Sequence, residues 1–254
     1  MVEVCLVRYF LDITYRGTNY HGWQNQQNAI SIQEEIETAC KKILGKPVSI
    51  TGSGRTDTGV HAFQQIAHVD IDDEVDIAQL KYRLNSLLSK DISINDIVKV
   101  TPTSHARFDA EKRSYIYQIH KDKSPFKVGV SYYFRKEIDL DEIRKACTVI
   151  KEWRDFESLS KVQTEVNHFN CEIFSIEWRE TNDGYEFFVC ANRFLRGMVR
   201  TMVGLLLDEG ASKLSLDNLI SILEQRDRRA ASRAVPAEGL FLSEVVYPEH
   251  IYIK

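Results

Sequence analysis

The chain of 254 residues contains few cysteines and histidines, and these stand apart from one another. Its five cysteines form no CxxC pair, and its seven histidines show no HExxH or comparable ligand spacing. An odd, dispersed set of cysteines argues against a disulfide framework, and the scattered ligand types argue against a zinc site. We therefore expect no disulfide and no bound metal.

Long hydrophobic runs are also missing. No apolar stretch approaches the roughly 20 residues that a transmembrane helix needs. The stretch MVEVCLVRYFLDITY carries charges where the apolar core of a signal peptide would be uninterrupted. Hydrophobic residues make up 43% and charged residues 28% of the sequence, as in ordinary globular proteins. These features predict a cytoplasmic protein without a membrane partner.

An excess of basic residues is missing as well. The chain has 33 lysines and arginines against 37 aspartates and glutamates, a formal net charge of −4. Net charge describes the whole surface, however, and a basic stripe can lie on an acidic protein. The places where arginines cluster are therefore more informative than their sum.

The first half of the sequence predicts two helices and four strands. Alternation in RYFLDITYRG indicates a strand, and SIQEEIETACKKILG is a helix whose Ser31 and Glu34 form a capping box. The strands PVSIT and FQQIAHVDI, the helix DIAQLKYRLNSLL and the strand NDIVKV follow. The order is β-α-β-β-α-β.

The second half repeats this order. RSYIYQIHK is a strand, LDEIRKACTVIKEW a helix, and CEIFSIEWRE with GYEFFVCANR a hairpin across TNDG. The helices FLRGMVRTMVGLLLDEG and SLDNLISILEQRD precede a closing strand, GLFLSEVVY. We predict an α+β fold of two ferredoxin-like units, 1–104 and 105–254. They would share a central, mostly antiparallel sheet with helices packed on it and a catalytic cleft between the halves.

Three stretches contain more charge than their structural role requires. In GSGRTDTGVHAF a tight turn accounts for the glycines and for Asp57, but it does not require Arg55. In ARFDAEKRSYIYQ the basic residues alternate with Phe108 and Tyr115, which suits single-stranded nucleic acid or an ordinary strand with one charged face. In NRFLRGMVRTMVG three arginines, Arg193, Arg196 and Arg200, fall within about 60 degrees on a helical wheel. This pattern suits a ligand-binding face or the solvated side of an amphipathic helix.

Together these stretches resemble the TruA family of tRNA pseudouridine synthases, over nearly the whole chain. The resemblance is carried by YRGTNYHGWQNQ, SIQEEIE, GSGRTDTGVHAFQQIAHV, ARFDAEKRSYIY, FLRGMVRTMVG and VPAEGLFLSEVVY. The GRTD-x-GVHA segment is the most specific of them. The family modifies uridines in the anticodon stem-loop, just 3′ of the anticodon, without a cofactor, and its members form dimers.

The resemblance implies a role for each of four residues. Asp57 would be the catalytic nucleophile, and Arg55 would displace the target base. Tyr115 would stack on the target uracil and is a candidate for the proton transfer, and Arg200 would pair with the catalytic aspartate. We further expect four arginines to bind the tRNA substrate: Arg107, Arg113, Arg193 and Arg196.

The chain departs from the family pattern at several positions, namely Thr58, Arg193, Arg196, Gly197, Ser232 and Arg233. These departures affect RNA docking rather than the reaction, since none replaces a residue of the catalytic set. Two other functions remain open from the residues alone. One is a non-catalytic tRNA-binding or RNA-chaperone protein of the same fold, and the other is a different RNA-modifying or hydrolytic enzyme with an aspartate nucleophile.

Overall fold

A computed structural model of the chain describes residues 6–72, 74–162, 166–211 and 215–253, so Cys5 lies outside it. The chain divides into two compact units. Unit 1 comprises residues 1–111 and 242–254, and unit 2 comprises residues 112–241. The boundary between residues 104 and 105 is based on the repeated element order in the sequence, and it stays a prediction.

Unit 1 has the predicted β-α-β-β-α-β order. Its elements are β1 (Leu6–Tyr15), α1 (Ile32–Leu44), β2 (Ile50–Gly52), β3 (His61–Asp72), α2 (Ile77–Leu87) and β4 (Ile92–Lys99). β1 pairs antiparallel with both β3 and β4, and β2 pairs antiparallel with β3. The N-terminal half of the predicted repeat is thus confirmed.

Local signals define the ends of α1. Ser31 caps the N-terminus, where its side chain accepts a hydrogen bond from Glu34 N. Gly45 ends the helix in the left-handed conformation at φ 75°. Ile32 and Ile36 are fully buried, as is Leu11 of β1. The apolar face of the helix and the alternate residues of the strand therefore supply the core of unit 1.

Unit 2 contains the remaining helices and most of the remaining strands. They are β5 (Lys112–His120), β6 (Tyr132–Tyr133), α3 (Leu140–Glu152), β7 (Ile173–Thr181), β8 (Gly184–Ala191), α4 (Met198–Gly210) and α5 (Leu216–Glu224). β8 pairs antiparallel with β5 and with β7, and the short β6, which the sequence did not predict, pairs parallel with β5. The last strand, β9 (Leu240–Val246), begins in unit 2 and continues in unit 1. The predicted mixed fold with a large, mostly antiparallel sheet is confirmed.

The structure corrects the predicted helix FLRGMVRTMVGLLLDEG. Gly197 has φ 75° and precedes the helix, so α4 begins at Met198. Arg193 and Arg196 therefore lie before the helix, and the prediction that they share a helical face with Arg200 was wrong. The apolar spacing continues across residues 194–197, but a left-handed residue interrupts the helical backbone there.

No helix in the part of the chain that the structure describes is long and apolar enough to cross a membrane.

Candidate active site

The segment with the unexplained Arg and Asp, residues 53–60, is the loop between β2 and β3. We call it the GRTD loop. Gly52 at the end of β2 lies opposite Ala67 in β3, and Ser53 N donates a hydrogen bond of 2.7 Å to Ile66 O. The loop therefore starts directly from a paired strand.

A tight turn holds the charged residues of the GRTD loop. Val60 N donates to Asp57 O at 3.1 Å, and Gly59 adopts the left-handed conformation at φ 79°. Arg55 is exposed and Asp57 is half-buried. The loop thus presents a carboxylate and a guanidinium two positions apart on an ordered backbone.

Tyr115 lies in β5 of unit 2, opposite Val189 of β8. It is half-buried, and its ring meets that of Phe194 edge to face, with centroids 5.0 Å apart. Arg113, two residues earlier, donates from Nη1 to Asn192 O at 3.2 Å. The segment that follows β8 therefore packs against this end of β5.

Arg200 lies in the first turn of α4. Its Nε donates to Val235 O at 2.7 Å, and its own carbonyl accepts from Val235 N at 3.2 Å. This double contact ties the start of α4 to the segment before β9. The guanidinium is therefore held at the start of α4 through its Nε.

Arg193 and Arg196 lie in the segment between β8 and α4. Arg193 is half-buried, with Nη1 3.4 Å from Nε2 of His168. Arg196 is exposed, while its carbonyl accepts from Lys161 N at 2.8 Å. Both arginines therefore lie in the non-helical segment before α4.

Arg107 belongs to a loop of unit 1 in which aromatic rings pack on one another and on His68 of β3. Its guanidinium lies 5.6 Å from the centroid of Phe108, which packs at 4.3 Å on His105, and His105 packs at 4.6 Å on His68. Burial, and after it the charge of Arg8, lower the pKa of His68 to about 4. Arg107 is thus an exposed cation beside an exposed aromatic ring.

The predicted residues divide between the two units. Unit 1 contains Arg55 and Asp57 in the GRTD loop and Arg107 in the loop after β4. Unit 2 contains the other five: Arg113, Tyr115, Arg193, Arg196 and Arg200. Within unit 2, β5 and the segment after β8 bring Arg113 and Tyr115 close to residues 192–194.

Sequence reasoning missed two neighbours of these residues. The helical pattern places Phe194 among core residues, whereas the structure places it against Tyr115. Tyr15 reads as the last inward residue of an alternating strand, yet its hydroxyl lies 2.9 Å from the hydroxyl of Thr56 in the GRTD loop. The one available signal for the second contact was the pair of glycines in the stretch RGTNYHGW that follows Tyr15.

Comparisons with known proteins point to one family, and the similar proteins match nearly the whole chain. The sequence model of a family described as tRNA pseudouridine synthase matches residues 13–109 and 153–248. A protein named tRNA pseudouridine synthase A from Parabacteroides distasonis is 42% identical over 246 residues, which cover 96% of this chain and 98% of that protein. A protein of the same name from Bacteroides fragilis is 41% identical over 247 residues, with coverage of 96% and 98%. Another from Staphylococcus aureus is 31% identical over 250 residues, with coverage of 98% and 95%.

Proposed function

The chain belongs to the tRNA pseudouridine synthase family, and from this premise we propose that it converts uridine to pseudouridine in the anticodon stem-loop of tRNA, just 3′ of the anticodon, with Asp57 as the nucleophile. One observation carries the proposal. Asp57 and Arg55 lie on an ordered turn inside a segment that the family model matches.

The reaction explains why an aspartate is needed. The bond between carbon-1 of the ribose and the base nitrogen breaks, the uracil turns, and a new bond joins the ribose to carbon-5 of the base. The proton on carbon-5 then leaves, and the ring nitrogen that was bonded to the ribose gains one, so the product is an isomer of the substrate. The electrons stay within the substrate, so the chemistry calls for no redox partner. An ionised carboxylate can hold the intermediate covalently, either on the sugar or on the base.

The remaining catalytic residues supply access and charge. Flipping a uridine out of its stack costs a few kcal/mol, and stacking on an aromatic ring returns about 1–3 kcal/mol. We assign the stacking to Tyr115 and the filling of the vacated space to the exposed Arg55. We assign to Arg200 the task of favouring the ionised carboxylate of Asp57, because a positive charge opposes protonation of a neighbouring acid.

The partner of the proposed enzyme is tRNA, which four arginines would contact through phosphates. These are Arg107, Arg113, Arg193 and Arg196. Like the family that it resembles, the enzyme would act as a homodimer in the cytoplasm and use no cofactor. This assignment is supported by the position of three of the four arginines within matched segments, whereas Arg113 lies outside them.

Release of tritium from tRNA labelled at carbon-5 of uracil tests the activity. The purified chain should release tritium from an unmodified tRNA transcript, and chemical tagging should then locate pseudouridine just 3′ of the anticodon. A non-catalytic tRNA-binding protein would bind the same transcript and release none. A different enzyme with an aspartate nucleophile would change the RNA without forming pseudouridine. Either outcome would overturn the proposal.

A further inference from the structure

The loop between β1 and α1 packs against the GRTD loop within unit 1. We call its residues 16–23 the backing loop. Tyr20 O accepts a hydrogen bond of 3.3 Å from Gly59 N, and Trp23 N donates one of 3.4 Å to Thr56 O. These bonds join the backbones of the two loops at Thr56, the middle of the Arg-Thr-Asp sequence, and at Gly59, two residues after Asp57.

Thr56, the residue between Arg55 and Asp57, is held at two groups. Its hydroxyl lies 2.9 Å from the hydroxyl of Tyr15, a residue only 2% exposed. Its carbonyl oxygen accepts from the backbone of Trp23. Because both the side chain and the carbonyl are bound, Thr56 cannot rotate without breaking a contact, and the directions of Arg55 and Asp57 on either side of it are restricted.

Glycines in the backing loop permit this close approach. Gly22 has φ +87°, and a Cβ at this position would overlap the carbonyl oxygen of Thr56 and lie 3.2 Å from the carbonyl carbon of Asp57. A Cβ on Gly17 would likewise overlap Val60 O. Gly17 N also donates to Nδ1 of His61 at 3.0 Å. Side chains here would push the two loops apart.

We infer that the backing loop fixes the conformation of the GRTD loop, and that Tyr15 and Gly22 are positioning residues for the reaction at Asp57. The inference rests on the proposed function, because fixing the conformation of the GRTD loop affects catalysis only if Asp57 reacts. Neither residue is needed to contact the substrate. Their loss should therefore slow the chemical step while tRNA binding persists.

The first experiment compares two glycines in the left-handed region. Gly45 has φ +75°, close to Gly22, but a Cβ there would meet nothing within 4 Å. We expect Gly22→Ala to lower the single-turnover rate of pseudouridine formation by at least about tenfold, because displacements near 1 Å are costly in catalysis. Gly45→Ala carries similar backbone strain and should keep the parental rate within about twofold.

The second experiment tests the hydroxyl pair by a double-mutant cycle. Tyr15→Phe and Thr56→Val should each slow the single-turnover rate by roughly threefold to tenfold, the size of one hydrogen bond, and the double variant no more than either. Thr56→Ser keeps the hydroxyl that Thr56→Val removes, and it should therefore react at the rate of the parent. Tyr9→Phe is the matched control, since Tyr9 lies buried in the same strand and its hydroxyl accepts from Val75 N instead.

The outcomes separate this inference from the proposed function. A parent chain that forms no pseudouridine overturns the proposed function. An active parent together with an equally active Gly22→Ala overturns the inference that the backing loop positions the GRTD loop. If Gly22→Ala fails to fold, the hydroxyl pair decides: rates of Tyr15→Phe and Thr56→Val within about twofold of the parent overturn it. A parallel loss of tRNA affinity and rate in these variants would also contradict a positioning role.

Discussion

The ring of Phe194 meets the ring of Tyr115 at 87°, with the centroids 5.0 Å apart. Tyr115 is held in β5, and Phe194 follows β8 in the segment before α4. Edge-to-face pairs contribute about 0.5–1.5 kcal/mol beyond the burial of their area. Phe194 therefore restricts the orientation of the ring that we assign to stacking and to proton transfer.

Substitution of Tyr115 by phenylalanine separates these two assignments. The variant retains the ring and its contact with Phe194 but loses the hydroxyl. If the hydroxyl removes the proton from carbon-5, the rate should fall by about 10²–10⁴, and the rotated base should accumulate on the enzyme. Single-turnover pseudouridine formation at saturating enzyme measures this.

We expect the large loss. Tyr133→Phe is the control, since Tyr133 is also a partly exposed tyrosine of unit 2 and stacks on His120 rather than on Phe194. A Tyr115→Phe rate within about threefold of the parent would leave Tyr115 with stacking alone, and the base would lie elsewhere.

Asp57→Asn should abolish the reaction and preserve binding. The amide has the shape of the carboxylate but cannot act as an anionic nucleophile. We expect no detectable pseudouridine and a tRNA dissociation constant close to that of the parent. Filter binding and tritium release measure the two quantities, with the exposed Asp122→Asn as control. Substantial turnover by Asp57→Asn would remove Asp57 from the nucleophile role.

Arg200→Ala should lower the rate more than the affinity. Its guanidinium is oriented by the bond from Nε to Val235 O, so its charge has a defined position. Arg200→Lys keeps a positive charge but not the planar fork, and we expect it to recover part of the rate. Equal losses of rate and affinity in Arg200→Ala would instead indicate a phosphate contact.

Replacement of Arg196 or Arg193 should weaken tRNA binding in a salt-dependent way. Each phosphate contact contributes about one to the slope of log affinity against log salt, and either alanine variant should reduce the slope by about one. Arg144→Ala is the control, because Arg144 is 62% exposed on α3 and pairs with Asp141. An unchanged slope would assign the tested arginine to the solvated surface.

The free energy of unfolding should decrease as the pH is lowered from neutral to mildly acidic, because of His68. Its Nδ1 accepts from Ala106 N at 3.1 Å, so the folded state holds the neutral ring. Burial first, then Arg8 and His105, lower the pKa of His68 from 6.5 to about 4, whereas Asp70 and Asp109 act in the opposite direction.

The folded protein loses stability in acid because the pKa of His68 is lower in the folded state than in the unfolded state. Between about pH 6.5 and pH 4 the unfolded state binds a proton that the folded state does not, so stability present above this range is lost as the pH falls. The contribution of His68 to the free energy of unfolding should be about 2 kcal/mol smaller at pH 5 than at pH 7. Urea unfolding at both values measures it. His68→Asn should flatten the dependence, and an unchanged pH profile in that variant would contradict it.

The sequence by itself determined the local features of this protein. The cap at Ser31, the left-handed end at Gly45 and the β-α-β-β-α-β order of unit 1 depend on residues close to one another in the chain. Strand alternation and helical spacing are likewise local, so they could be read from the residues. The Arg and Asp of the GRTD loop were also recognisable, because a turn alone does not require the arginine.

Only the tertiary structure decided which segments meet. The apolar spacing of residues 194–197 suits a helix, yet bonds such as the one from Lys161 N to Arg196 O hold this segment in another conformation before α4. The contact of Tyr15 with Thr56 joins residues 41 positions apart. Such contacts depend on the packing of distant elements, which local periodicity does not encode, and packing overrides a weak local preference.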